Sequence, residues 1–289
     1  MNHLPNNFYE DVLISSFAPR SNTDVPHEAV HLSGKFGRFA SRMQENGHFK
    51  LITVRGSSID RIDYMMHTGT AIPKATGDKI PTKFRLRKFI TLQSLNGRLP
   101  FGDSKLLRTL NHFAAEPGML CVHFRSTEVN EKWLETFLSW KNMKQIYVID
   151  DFSEEIYSFL EELVSRDQLK YMTVGSGNYG EKEANLLCRF LLQPEFQVLR
   201  LFTAFSDVLK DKIMETRAQN REVLRGKDVC WDCRADLFDI EKEPETRMIN
   251  WRCYKKEWVS VIYHNEDAMY YMSDKKFFEN ISETVWHFE

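Results

Sequence analysis

Met119-Leu120-Cys121-Val122-His123-Phe124-Arg125 carries apolar residues at its first, fourth and sixth positions, and the same signature returns three more times. It reads Met143, Ile146, Val148, then Leu169, Met172, Val174, then Phe196, Leu199, Leu201. The first residues of the four copies stand 24, 26 and 27 residues apart. In a strand, positions four and six share one face and the residues beside them point the other way. The flanking positions are mixed and often polar: His123 and Arg125, Gln145 and Tyr147, Tyr171 and Thr173, Arg200. The pattern predicts parallel strands with one apolar face and one wet face. Val198, Phe202 and Ile90 depart from it.

The segments between signatures have helical spacing. Ile156, Phe159, Leu160, Leu163 and Val164 fall on one helical face, as do Ala184, Leu187, Cys188, Leu191 and Leu192. Val129, Trp133, Leu134, Phe137 and Leu138 come close to the same spacing. Asp151 with Glu154 has the spacing of a capping box, and Asp103 precedes a stripe of Leu106, Leu107, Leu110 and Phe113 that Pro117-Gly118 stops. Upstream, Phe49, Ile52 and Val54 match the signature cleanly, and Leu86, Phe89 and Thr91 match it poorly. A period in the twenties with an L-x-x-L-x-L core is that of leucine-rich-type solenoids. A doubly wound sheet also alternates strand and helix, but it buries both strand faces. The expected fold is therefore α/β: a leucine-rich-repeat-like solenoid over residues 48–220, an N-terminal helical segment over 1–47 and a β-rich C-terminal cap over 221–289. In the cap, Arg247 to Tyr254, Trp258 to His264 and Ala268 to Met272 are expected strands, in a region that holds four of the six tryptophans.

Composition narrows the function classes. The chain has 289 residues, 42% hydrophobic and 28% charged, with a net charge of −2. Those values describe neither a disordered chain nor a dedicated polyanion binder. No apolar run approaches the roughly 18 residues of a bilayer span, and the first residues lack the basic-then-apolar order of a secretory signal. Five cysteines, an odd number, point to a reducing compartment. The expectation is an intracellular protein, cytoplasmic or nuclear.

Several motifs bear on chemistry. His27-Glu28-Ala29-Val30-His31 matches the zinc-protease pattern, but Gly37 stands where its longer form needs a third histidine. Gly175-Ser176-Gly177-Asn178-Tyr179-Gly180 matches the dinucleotide loop, and a nucleotide-binding α/β enzyme using it is the alternative reading. Against it, Glu181 and Glu183 would repel phosphate, and no acid stands about twenty residues on to hold a ribose. Cys230 and Cys233 have zinc-knuckle spacing, which Cys253 and His264 would have to complete. Lys83, Arg85, Arg87 and Lys88 alternate with Phe84 and Leu86, as on a strand with a solvated face rather than a nucleic-acid track. No nucleophile motif is present, and neither a catalytic centre, a cofactor nor a metal is expected.

Leu4-Pro5, Phe8 and Val12-Leu13, followed by leucine-rich-type repeats, resemble the divergent, nematode-type F-box proteins. The resemblance implies that Leu4, Pro5, Phe8, Val12 and Leu13 dock a Skp1-like adaptor of a cullin–RING ubiquitin ligase, with the repeats capturing a substrate protein. On the residues themselves, a non-catalytic protein-binding role is expected for the wet strand face, carried by His123, Arg125, Tyr147, Tyr171, Arg200 and Phe202. Aromatic and arginine side chains contribute most to binding when a partner desolvates them.

Overall fold

The computed structural model describes residues 29–94, 98–99, 101–125, 128–148, 152–175, 179–202, 206–237, 244–256, 258–268 and 272–289. Its strands are β1 (His48–Arg55), β2 (Ser58–Met66), β3 (Ala71–Ile72), β4 (Arg85–Gln93), β5 (Arg98–Leu99), β6 (Met119–Arg125), β7 (Glu128–Val129) and β8 (Met143–Val148). They continue as β9 (Tyr171–Val174), β10 (Val198–Leu201), β11 (Asp228–Trp231), β12 (Thr246–Arg247), β13 (Trp251–Lys256), β14 (Val259–His264) and β15 (Glu283–Phe288). The helices are α1 (Gly34–Asn46), α2 (Lys74–Gly77), α3 (Ser104–Ala115), α4 (Glu131–Leu138), α5 (Glu154–Arg166), α6 (Glu181–Leu191), α7 (Asp207–Gln219), α8 (Arg221–Leu224) and α9 (Asp274–Glu279).

Thirteen strands form one open mixed sheet in the order β12-β13-β14-β15-β11-β10-β9-β8-β6-β4-β1-β2-β3. The run from β1 through β4, β6, β8, β9 and β10 to β11 is parallel, and both flanks are antiparallel. Each parallel strand joins the same advancing edge as the one before it. A crossover between parallel neighbours is right-handed, so an order that never reverses places successive helices on one face. The rings agree with this: Phe124 of β6 lies 5.3 Å from Phe137 of α4 and 5.9 Å from Phe159 of α5. One apolar core runs between that helical layer and the sheet, from Ile52 to Phe288.

The α/β class is as expected, but the solenoid is not what forms. The repeat describes only the middle of a single sheet. At one end β2 folds back on β1, and at the other β15 returns to pair with β11, so antiparallel strands replace further repeats. Residues after 220 enter the same sheet, with Trp231 and Trp286 5.2 Å apart across the β11–β15 pair.

Three local expectations need correction. In β4 it is Ile90 and Leu92 that pair with Val122 and Phe124, one residue on from the expected Phe89 and Thr91. A one-residue slip exchanges the two faces of a strand, so Phe89 belongs to the wet face and Ile90 ceases to be an exception. Helix α5 is capped by Ser153, whose hydroxyl accepts the Ile156 N–H at 3.3 Å; Asp151 lies outside the described residues. Of the expected strand Ala268 to Met272, residues 269–271 lie outside the described residues; the strand that pairs with β14 and β11 is β15. Its alternation was readable, since Thr284, Trp286 and Phe288 are all buried.

Helix ends in this layer are closed by the next unit of the chain. The last carbonyls of a helix have no intrahelical donor. Here Asn142 donates to Ala114 O, Arg166 to Leu138 O and Gln193 to Val164 O. Lys227 donates to Leu191 O at 2.8 Å and Gln193 O at 2.6 Å. Fully buried Lys88 does the same for α3, with Phe113 O at 3.1 Å and Ala114 O at 2.7 Å. Of the basic run 83–88, Lys83 is exposed and Arg87 half-buried, but Arg85 and Lys88 do not lie on a solvated face as expected. Arg85 is 3% exposed and ion-paired to Glu116, and Lys88 is a helix cap.

Candidate functional site

The face opposite the crossover helices carries the side chains between the core positions. Register brings Thr91, His123, Tyr147, Thr173, Arg200 and Cys230 into one row across six strands. Within and beside that row the rings touch. Phe89 stands edge-on to His123 at 5.4 Å, His123 lies 5.0 Å from Tyr147, and Tyr147 lies 5.4 Å from Phe202. Thr173 on the intervening strand is small, which lets Tyr147 reach across β9 to Phe202 just beyond β10. The Arg200 guanidinium closes the strip, 5.1 Å from the Phe202 ring centroid.

Arg200 is held rather than free. Its Nε donates to Asp232 at 3.0 Å, and its terminal nitrogen lies 2.9 Å from Asp232 and 3.0 Å from Glu283. Burial opposes the charge of Arg200, but Glu283 and Asp232 outweigh it and raise the pKa above the ordinary arginine value. Burial also raises the Tyr147 hydroxyl. Phe202 is 42% exposed, unusual for a phenylalanine held in a ring cluster, and Arg125 at the end of β6 is exposed.

The expected site residues divide accordingly. His123, Tyr147, Arg200 and Phe202 are brought together, and Arg125 stands at the rim beside them on β6. Tyr171 is not at the surface: it is buried, and its hydroxyl donates to Gln197 at 2.7 Å. Phe89, Asp232 and Glu283 join the strip although sequence reading did not select them. The register of Ile90 was the signal for Phe89; nothing local marks the two acids as partners of Arg200. Leu4, Pro5, Phe8, Val12 and Leu13 lie outside the described residues.

His123 gives the face a pH signature. Burial, with a smaller contribution from the Arg125 charge, lowers its pKa from 6.5 to about 4. Between those values the unfolded chain binds a proton that the folded chain refuses, so stability falls as pH falls. The expected result is a melting temperature a few degrees lower at pH 5 than at pH 7. His123→Gln should flatten that slope, which thermal melts at both pH values will read.

The tempting motifs resolve differently. Gly175 follows β9 and Gly180 caps α6, while residues 176–178 lie outside the described residues. The Gly180 N–H donates to the Glu183 carboxylate at 3.0 Å, so a carboxylate already occupies the helix end where a phosphate would bind. Cys230 and Cys253 share a sheet face but are separated by β15 and β14, about 14 Å at the usual strand spacing. Among the described residues no three His, Cys, Asp or Glu side chains gather to hold a metal ion. His27 and Glu28 lie outside the described residues. No described helix is long and apolar enough to cross a membrane.

Comparison of the chain with protein-family models, with curated proteins and with solved structures finds no match.

Proposed function

We propose that this chain is a non-catalytic protein-binding protein whose strip Phe89–His123–Tyr147–Phe202, edged by Arg125 and Arg200, captures a partner protein. The observation that supports the reading is the half-exposed ring of Phe202, in contact with a preformed aromatic–arginine cluster on a sheet face without crossover helices. Strands hold such rings in place, so little side-chain freedom is lost when a partner covers them. In the fuller form of the proposal the partner is a substrate of a cullin–RING ubiquitin ligase, and Leu4, Pro5, Phe8, Val12 and Leu13 dock a Skp1-like adaptor.

Affinity purification of the full chain from a cell extract, read by mass spectrometry, tests both forms. The triple variant Arg125→Ala, Tyr147→Ala, Phe202→Ala should lose captured partner by more than about tenfold, because aromatic and arginine anchors dominate interface energies. Its melting temperature should stay close to that of the parent, since none of the three is in the core. Undiminished capture by the triple variant rejects the strip. Recovery of partner without any adaptor rejects the F-box form alone.

A further inference from the structure

On the helical side of β1 and β4, the sheet face opposite the aromatic strip, three cationic side chains converge on one buried ring. Lys50 Nζ lies 5.4 Å from the Phe113 centroid, and Arg85 and Lys88 each lie 5.8 Å from it. Two of the three are committed. Arg85 is paired with Glu116, and Lys88 donates to the carbonyls that end α3. The ammonium of Lys50, half-buried between Phe113 and Tyr64 (5.3 Å from the latter), has neither a hydrogen bond nor an ion pair among the described residues. The nearby acid Asp78 accepts the Tyr64 hydroxyl.

We propose that Lys50 is an acylation site, its Nζ taking the acyl group of an activated donor such as an acyl phosphate or a thioester. A lysine becomes nucleophilic when it is desolvated beside another cation, because the neutral amine is then favoured. Burial first and the Arg85 charge second lower the pKa of Lys50. Among the described lysines, Lys88 and Lys227 are also lowered, but both ammonium groups are enclosed by helix carbonyls and offer no lone pair. With an acyl phosphate, the amine lone pair attacks the carbonyl carbon. A C–N bond forms, the C–O bond to phosphate breaks, phosphate leaves with the electron pair, and the amine proton passes to solvent. The product amide is uncharged, so the step also removes like-charge repulsion beside Arg85.

Two measurements on the full chain test this. Incubation with acetyl phosphate, followed by peptide mass spectrometry over time, should show Lys50 acetylated several-fold faster than the exposed Lys74, Lys79 and Lys83. An equal or slower rate at Lys50 overturns the proposal. Lys50→Met, which keeps the aliphatic stem and drops the charge, should raise the melting temperature. A lower melting temperature would mean that the ammonium stabilises the fold, and the site would then be structural.

Discussion

Phe137→Ala should destabilise the protein by about 4 kcal/mol, the range found for deleting a fully buried aromatic side chain. Phe137 is wholly buried at the centre of the helical layer. Its ring stacks on Trp133 at 5.6 Å, meets Trp140 at 5.0 Å and Phe124 at 5.3 Å, and reaches Phe159 at 6.5 Å. Deletion leaves a cavity among four rings that cannot collapse, because Phe124, Trp133, Trp140 and Phe159 are all buried and held by packing of their own. Aromatic pairs add to the loss beyond the area term. The drop in melting temperature should be roughly 10 °C for a chain of this size. Phe137→Leu should recover most of it. The variant also speaks to the binding strip: Phe124 is the β6 neighbour of His123, and loosening its inner face frees the outer one. A loss near 1 kcal/mol by urea titration would show that the core relaxes into the gap.

Gly118→Ala should cost about 3 kcal/mol by a different route, through the backbone. Gly118 turns the chain from α3 into β6 with φ at 101°, a conformation that side chains rarely adopt. A Cβ there would also stand 2.6 Å from the Arg85 carbonyl oxygen, and backbone of a central strand does not give way. The same turn carries Glu116, partner of Arg85, so the strain acts on the cationic cluster too. Urea unfolding of the variant should show a lowered midpoint with an unchanged slope. An unchanged midpoint would mean that the turn relaxes into another geometry.

How much of this was legible in the chain depended on whether the governing interaction is local. Asp103 accepts the N–H groups of Lys105 and Leu106, and Pro117-Gly118 ends the same helix, as the sequence predicts. The helical stripes of α4, α5 and α6 bury most of the residues that their spacing nominates, with Leu138, Val164 and Leu192 half-buried and Val129 in β7. The four signatures lie on adjacent parallel strands in chain order. By contrast, β2 was not legible: Ser58–Met66 is charged, lies towards the sheet edge and carries little apolar alternation. The poor match in β4 arose because Arg87 stands opposite Met119, where the signature calls for an apolar residue, and because Arg85 and Lys88 are buried beside it, each answered by a partner about thirty residues away in α3 or just beyond it. No pattern of neighbours reveals that.

By itself, then, the sequence determined the alternation of strand and helix, the apolar face of each central strand and the identity of most rings on the opposite face. Those follow from the side-chain periods of 2 and 3.6, which act within a few residues. Only the tertiary structure decided that the strands join one open mixed sheet with antiparallel strands on both flanks, that Tyr171 is buried, that Arg200 is tied to Asp232 and Glu283, and that the Lys50 ammonium has no hydrogen bond or ion pair among the described residues. Each of those depends on which distant segments become neighbours, and pairing between segments is set by the register and packing of the whole sheet rather than by local spacing.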